Sequence, residues 1–310
     1  MSVPVVIGLS AVVMAIRDGE AVALTVRPPG QELQGLPFGP FDPAGRRTFE
    51  LALRAFVTEQ TRFDLGYVEQ LYTFGDKGRD APLADMGAGS ARVISVGYLG
   101  LAPGALDSHS AASGWQPWNR FFPYEDWRDG RPTALRPIET ALRAWATTPD
   151  RLARARLLFA LDDAPWNEER VLERYELLYE AGLVQEAARD RGEAAAALPA
   201  AGEPMISDHR RILATALSRL RGKIKYRPVV FELMPEAFTL SALQRAVEAI
   251  AGVTLHKQNF RRTLERTGLV EGLGRMDSET GGRPAELFRF RRELLAARPV
   301  SGLPLPLLRD

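Results

Sequence analysis

Two segments carry residues whose types and spacing could do chemistry, and the first lies between residues 49 and 61. It places Glu50, Arg54 and Glu59 among apolar residues at helical spacing. Two carboxylates on one helix face could bind a divalent cation. However, nine residues at about 100° each put Glu50 and Glu59 on roughly opposite sides of the helix. Because a hard dication usually needs more than one carboxylate, this helix argues against metal-dependent hydrolysis.

The second segment, 255–267, has the composition of a helix that reads DNA. Leu255, Phe260 and Leu264 recur at helical spacing and predict its buried face. The outward side carries cations and amides: Lys257, Gln258, Asn259, Arg261, Arg262 and Arg266. Arginine can bind guanine edges, glutamine and asparagine can bind adenine edges, and lysine and arginine neutralise phosphates. The six are predicted DNA-binding residues, although each one taken singly would also suit a solvated helix face.

The elements around this helix predict a winged helix. Residues 240–250 form a preceding helix with apolar residues in register, and a short turn separates the two helices. After Gly268, residues 269–271 and 285–290 read as two strands. The loop between the strands is the predicted wing, and Arg283 at its end is a seventh predicted DNA-binding residue.

Composition limits the other functions. The 310 residues, 45% hydrophobic and 25% charged, predict a globular protein of two or three domains. Cysteine is absent, which excludes disulfides, thiolate nucleophiles and cysteine-based metal sites, and the three histidines are far apart in sequence. The apolar start is interrupted by Pro4, Gly8 and Ser10, so it predicts neither a signal peptide nor a membrane span. We expect a cytoplasmic protein.

Charge is balanced over the whole chain, with 40 basic and 39 acidic residues, but it is uneven locally. Residues 207–226 read as a helix with one apolar stripe. Its polar face carries a cluster of cations, and Asp208 is the one acidic residue among them. The cations are Arg210, Arg211, Arg219, Arg221, Lys223, Lys225 and the following Arg227. This local concentration predicts a phosphate-containing partner.

The elements that position these residues follow from periodicity. Four β-prone runs read as strands, at 5–16, 21–26, 67–74 and 92–101. Asp18-Gly19 predicts a hairpin between the first two, and Thr48 is a predicted N-cap for the helix 49–61. The alternation of strands and helix in the first hundred residues predicts an α+β fold.

Residues 107–203 have a different character, because an aromatic, proline-rich loop leads into helices. Thr148-Pro149 predicts one helix start, and a second helix follows Asn167 and ends near Gly182. This segment predicts a helical insert or appendage. The alanine-rich tract 193–202 is its best linker candidate, although alanine would equally allow a short helix.

Several strings resemble one family. Glu69-Gln70-Leu71-Tyr72-Thr73-Phe74-Gly75 and Arg92-Val93-Ile94-Ser95-Val96 resemble Nudix domains, particularly those of Nudix-related transcriptional regulators of NAD metabolism. Residues 225–235, 259–262 and 281–285 resemble the C-terminal domain of the same regulators. Catalytic Nudix hydrolases hold Mg²⁺ with glutamates of a loop–helix motif. When that motif is aligned on Arg54, Glu59 is the one glutamate that matches, and other motif positions hold Pro40, Arg46, Ala55, Thr58 and Thr61.

The resemblance implies an α+β chain with a Nudix-like α/β/α sandwich, a helical insert and a C-terminal winged helix-turn-helix. The expected division is a Nudix-like core at 1–106, an insert with linker at 107–203, the last Nudix-like helix at 204–226, the winged helix at 227–295 and a tail at 296–310.

The resemblance also implies a regulator of NAD-related genes, expected to be a repressor, which acts as a homodimer on operator DNA. Its Nudix-like domain is expected to sense ADP-ribose, NAD or ATP without turnover and to require no cofactor. The residues expected near this ligand are Arg27, Arg54, Glu59, Glu69, Phe74 and Arg92. The alternative is a Nudix hydrolase that acts on ADP-ribose or a related nucleoside diphosphate.

Overall fold

The structure, a computed structural model, describes residues 5–42, 44–45, 47–76, 92–104, 112–193, 197–277, 284–294 and 302–303. Its main sheet contains β1 (Val5–Arg17), β2 (Glu20–Val26), β3 (Phe38–Pro40), β4 (Tyr67–Phe74), β5 (Arg92–Ala102) and β6 (Ser113–Pro117). The strand order is β4-β5-β1-β2-β6, and β3 pairs with β1. The β1–β2 hairpin turns at Asp18 and Gly19, both with positive φ, as the sequence predicted.

Helices cover both faces of this sheet. The first helix, α1 (Phe49–Thr61), packs on the face that carries Leu9 and Val13 of β1. The side chain of Thr48 accepts a hydrogen bond from the Leu51 amide and caps α1, as predicted. The opposite face, which carries Val12, packs in one core with α6 (His209–Tyr226). Because β1 is buried on both faces, its apolar run is nearly continuous, and the predicted α/β/α sandwich is confirmed.

The region between the sheet and α6 contains α2 (Leu135–Trp145), α3 (Pro149–Phe159), α4 (Val171–Glu180) and α5 (Gln185–Arg191). The predicted helix starts at Thr148 and after Asn167 are confirmed by α3 and α4. The expected aromatic loop is wrong at 113–117, because these residues pair with the free edge of β2 as β6.

The tract 193–202 follows the alternative of a short helix in its described part, where Pro199–Ala201 forms a 3-10 helix. Ala201 is 1% exposed, and the Leu198 amide donates to the Leu183 carbonyl oxygen at 3.0 Å. The tract is therefore packed against the helices rather than left in solvent.

The C-terminal part has two helices and a three-stranded sheet. Its elements are β7 (Phe238–Thr239), α7 (Leu240–Ala251), α8 (Lys257–Thr267), β8 (Val270–Asp277) and β9 (Ala285–Phe290), with strand order β7-β9-β8. The first predicted wing strand is longer than expected, since β8 continues to Asp277. The apolar residues of α7 and α8 belong to the same core as those of α4 and α6. Within the described ranges, every helix is too short or too polar to span a bilayer.

Candidate functional site

The outward face of α8 carries all six polar residues that the sequence predicted for it. Phe260 is 4% exposed and Leu264 is 1% exposed, so these two side chains fix the inward face. Lys257, Gln258, Asn259, Arg261, Arg262 and Arg266 are all exposed. None of these six side chains has a hydrogen bond or ion pair to another described residue. The face therefore offers four cations and two amides that are available to a partner.

The turn between α7 and α8 is braced by side chains of α7. The Glu248 carboxylate accepts hydrogen bonds from the Leu255 amide at 2.8 Å and from Gln244 Nε2 at 2.9 Å. Gln244 Nε2 also donates to the Leu255 carbonyl oxygen. Gly252 ends α7 with a φ of 69°. These contacts hold the two helices at a fixed angle, which a helix-turn-helix needs to present its second helix.

The wing adds exposed groups whose placement is described only in part. Arg275 is exposed and Met276 is 58% exposed on β8. Arg289 on β9 forms an ion pair with Glu271. The predicted contact residue Arg283 lies outside the described residues. Sequence analysis missed Glu265, which is exposed among the cations of α8 and brings a hydrogen-bond acceptor to that face.

The six residues predicted for the ligand do not come together. Arg54 and Glu59 lie on α1, where Glu59 is exposed and Arg54 forms an ion pair with Glu50. Arg54 also donates to the carbonyl oxygens of Leu65 and Gly66. These hydrogen bonds give Arg54 a structural role, because they fix the loop that follows α1.

Glu69 and Phe74 lie on the other face of the sheet, against α6. Partial burial alone would raise the pKa of Glu69, but hydrogen bonds from Lys223 and Tyr67 hold it below its ordinary value. Phe74 is 5% exposed, with the Arg211 guanidinium 5.4 Å from its ring centroid. Both residues contribute to packing between β4 and α6.

Arg92 and Arg27 are both exposed, but their surroundings differ. Arg92 donates to the Gly75 carbonyl oxygen at 2.7 Å at the start of β5. Arg27 follows β2 and lines a cavity of about 450 Å³. Its side chain contacts no acceptor among the described residues. Of the six predicted ligand residues, Arg27 alone lines this cavity within the described part of the chain.

The cavity is built from segments far apart in sequence. Its walls are Val26, Arg27, Pro28, Pro29, Gln31, Phe38, Gln60, Ala112, Ile206 and Ser207. The Gln60 side chain is fixed on β3, because it donates to the Phe38 carbonyl oxygen at 2.6 Å and accepts from the Phe38 amide at 3.2 Å. An apolar wall with an arginine at its edge suits a planar base attached to phosphate groups.

His209, at the start of α6, supports the wall of this cavity. Its Nδ1 accepts a hydrogen bond from the Leu36 amide at 2.9 Å, and its ring meets the Phe38 ring edge-on with centroids 4.8 Å apart. Burial, helped by the nearby charge of Arg189, lowers the pKa of His209 to about 3. The imidazole is therefore neutral at physiological pH and acts as a structural support.

The basic face of α6 differs from the sequence interpretation, because most of its cations are paired within the protein, although Arg219 and Arg227 stay exposed. Lys223 pairs with Glu69, and Lys225 pairs with Glu168 and Glu169 at 2.7 and 2.5 Å. Arg210 and Arg221 are buried, and Arg211 binds three carboxylates. The carboxylates come from distant segments, so this face is not an open phosphate-binding surface.

The described residues contain no cluster of three or more histidine, aspartate or glutamate side chains that could hold a metal ion. In particular, Glu50 forms an ion pair with Arg54, and Glu59 stands apart from it on α1.

Comparisons with known proteins place the two parts of the chain. Residues 230–290 match the family described as the NrtR DNA-binding winged helix domain. The ADPR-responsive transcriptional repressor NtrR of Acinetobacter baylyi is 41% identical over 83 residues, or 27% of this chain. That match spans 33% of the length of the Acinetobacter protein.

Solved structures match over nearly the whole length. The NrtR of Shewanella oneidensis, crystallised with a 27mer DNA, has a TM-score of 0.59 at 20% identity, covering 97% of this chain and 99% of that one. A MutT/nudix family protein from Enterococcus faecalis has a TM-score of 0.51 at 15% identity, covering 94% and 89%. The chain thus shares its overall fold with these two proteins, and its residues 230–290 match a DNA-binding winged helix family.

Proposed function

We propose that this chain is a transcriptional repressor of NAD-related genes that binds operator DNA and senses an adenine nucleotide in its Nudix-like domain. The observation that carries the proposal is the exposed face of α8, whose four cations and two amides bind no other described residue. The match of residues 230–290 to a DNA-binding winged helix family and the repressor activity named for the Acinetobacter relative support it. The division at residues 106, 203, 226 and 295 is our proposed domain organisation.

On DNA, α8 would enter the major groove as the recognition helix. Gln258 and Arg262 are one turn apart and can face the same base edges, while Lys257 at the first turn would contact a phosphate. The proposed functional unit is a homodimer in the cytoplasm. Two-fold symmetry would place two α8 helices in successive major grooves of a palindrome and would double the buried surface.

The proposed effector site is the cavity beside Arg27. Its lining is largely apolar, so it would accept the base of ADP-ribose, NAD or ATP, and the Arg27 guanidinium would bind the diphosphate. Gln60, held in place by β3, contributes an oriented amide to the wall. The effector acts as a regulatory ligand, and DNA binding requires no cofactor. Of the other predicted ligand residues, Glu59 and Arg92 keep exposed side chains, whereas Arg54, Glu69 and Phe74 serve packing in this proposal.

The DNA assignment is tested with a variant that removes cations from α8, namely Lys257, Arg261 and Arg262 replaced by alanine. We expect operator affinity to fall by at least a hundredfold and the dependence of affinity on salt to weaken by about one unit of slope for each phosphate that is no longer neutralised. The matched control removes three exposed arginines outside the winged helix: Arg47, Arg62 and Arg136. Equal operator affinity in both folded variants would exclude α8 as the DNA-binding helix.

The second candidate function is a Nudix hydrolase, which the fold shared with a MutT/nudix family protein keeps open. The separation of Glu50 and Glu59 on α1 weighs against it, because one carboxylate holds Mg²⁺ poorly. Incubation with ADP-ribose and Mg²⁺, with AMP release followed over time, decides between the two. Turnover near an ordinary kcat of ~1–10³ s⁻¹ would favour the enzyme, and we expect none.

A further inference from the structure

Three fully buried charged side chains form a cluster between the helical region and α6. Glu125, Arg174 and Arg221 are at most 1% exposed. Arg174 binds both oxygens of Glu125, at 2.5 and 2.8 Å, and Arg221 Nη1 donates to Glu125 Oε2 at 2.8 Å. One carboxylate therefore faces two guanidinium groups. A buried charge that is left uncompensated is strongly unfavourable, so further polar groups must balance the second arginine.

That balance comes in part from the C-terminal end of α7, the first helix of the helix-turn-helix. Arg221 Nε donates to the Ile250 carbonyl oxygen at 2.8 Å. The indole nitrogen of Trp118 donates to the Ala249 carbonyl oxygen at 2.8 Å, and the Trp127 amide donates to that of Gly252 at 2.7 Å. The last carbonyls of a helix lack partners within it and carry its partial negative charge. The end of α7 thus supplies part of the negative partial charge that faces Arg221, next to the Glu168 carbonyl oxygen, which accepts from Arg221 Nη1 at 2.9 Å.

The approach of α7 to this cluster is close enough to require glycine. A Cβ at Gly252 would lie against the Glu125 carbonyl oxygen and 2.9 Å from Arg221 Nη2. The positive φ of Gly252 adds a second reason for glycine. The winged helix is therefore seated directly on the buried charges, through the end of α7.

The other end of α6 lies at the cavity. Ile206 and Ser207, which precede the N-cap Asp208, line the cavity, and His209 at the start of α6 accepts a hydrogen bond from the Leu36 amide. With 18 residues at about 1.5 Å each, α6 spans about 27 Å. One rigid helix therefore contacts the proposed effector site near its start and the winged helix, through Arg221, in its second half.

We propose that Arg221 is a positioning residue that seats the winged helix on the Nudix-like domain, and that α6 transmits occupancy of the cavity to it. The seat itself is independent of any ligand, whereas the transmission rests on the proposed effector function. A nucleotide that shifts the start of α6 moves Arg221, and the end of α7 follows because Arg221 gains its charge balance there. Coupling of this kind requires a difference in DNA affinity between the free and the nucleotide-bound protein.

The seat is tested by comparing Arg221→Met with Arg174→Met. Each variant leaves one arginine paired with Glu125, so both cores remain electrically balanced, but only Arg221→Met loses the bond to Ile250. In hydrogen–deuterium exchange we expect the peptide that covers α7 to exchange about tenfold faster in Arg221→Met and at the wild-type rate in Arg174→Met. Equal rates in the two variants would overturn the proposal. If Arg221→Met fails to fold, Arg221→Lys keeps the charge but lacks the Nε donor, and the same comparison applies.

Transmission is tested with ADP-ribose as the probe, by measuring operator affinity with and without it. We expect Arg221→Met to bind ADP-ribose as the wild type does, while the ratio of the two operator affinities falls towards one. In Arg174→Met the ratio should persist. A full ratio in a folded Arg221→Met variant would overturn the transmission. If ADP-ribose, NAD and ATP all leave the operator affinity of the wild type unchanged, both the effector role and the transmission are overturned. The hydrogen-exchange comparison would still test whether Arg221 positions the winged helix.

Discussion

Arg27→Gln should weaken nucleotide binding without affecting stability. Arg27 is exposed at the cavity edge, and its side chain contacts no acceptor within the described ranges, so folding loses nothing when the charge is removed. The backbone bond from the Arg27 amide to the Ala112 carbonyl oxygen is kept. A hydrogen bond to a charged group contributes about 1.5–3 kcal/mol. Because the site is open to water, we expect the lower end, which corresponds to roughly a tenfold loss of affinity for ADP-ribose.

The assay is calorimetric titration with ADP-ribose and with adenosine, together with thermal denaturation. Adenosine can contact the apolar wall of the cavity but has no phosphate for Arg27 to bind. Its affinity should therefore be the same in Arg27→Gln and in the wild type. The control is Arg136→Gln, which removes an exposed cation from α2, away from the cavity. An equal loss for both ligands would refute a phosphate contact at Arg27. Unchanged affinity for ADP-ribose would likewise refute a phosphate contact at Arg27.

Three further predictions concern DNA contact, packing and pH. Arg266→Gln should lower the salt slope of operator binding by about one if this side chain neutralises one phosphate, and filter binding at several salt concentrations measures it. Gly252→Ala should destabilise the fold by at least about 1–3 kcal/mol in urea denaturation, since it adds a strained φ and a clash with Glu125. Burial lowers the pKa of His209 to about 3. As the pH falls below about 6.5, His209 is therefore protonated in the unfolded chain but stays neutral in the folded chain. The free energy of unfolding is therefore unaffected by this residue above pH 6.5 and falls by up to about 1.4 kcal/mol per pH unit below it. His209→Gln, whose side chain can still accept from the Leu36 amide, should remove that slope. An unaltered slope would contradict a buried neutral imidazole.

The strongest sequence predictions were those that rest on contacts within one segment. Thr48 caps α1 because its side chain reaches an amide three residues later. The two faces of α8 could be assigned because the period of a helix separates Phe260 and Leu264 from the residues between them. The edge strand β6 was missed, since a strand that contains glycine and proline lacks the β-prone pattern, and the free edge of β2 supplies the reason for it to pair.

Local periodicity was enough to predict which helix carries an exposed face of cations and amides, because exposure on α8 follows from the period of a helix. Whether the cations on α6 are paired or free could be read from the tertiary structure alone. Lys223 and Arg221 meet Glu69 and Glu125, which lie 154 and 96 residues away along the chain, so no local pattern could tell a paired arginine from a free one. The cavity beside Arg27 was decided in the same way, since its walls come from β2, β3, α1 and the segment before α6. Periodicity assigns a side chain to a face, but what that face meets depends on how distant segments pack.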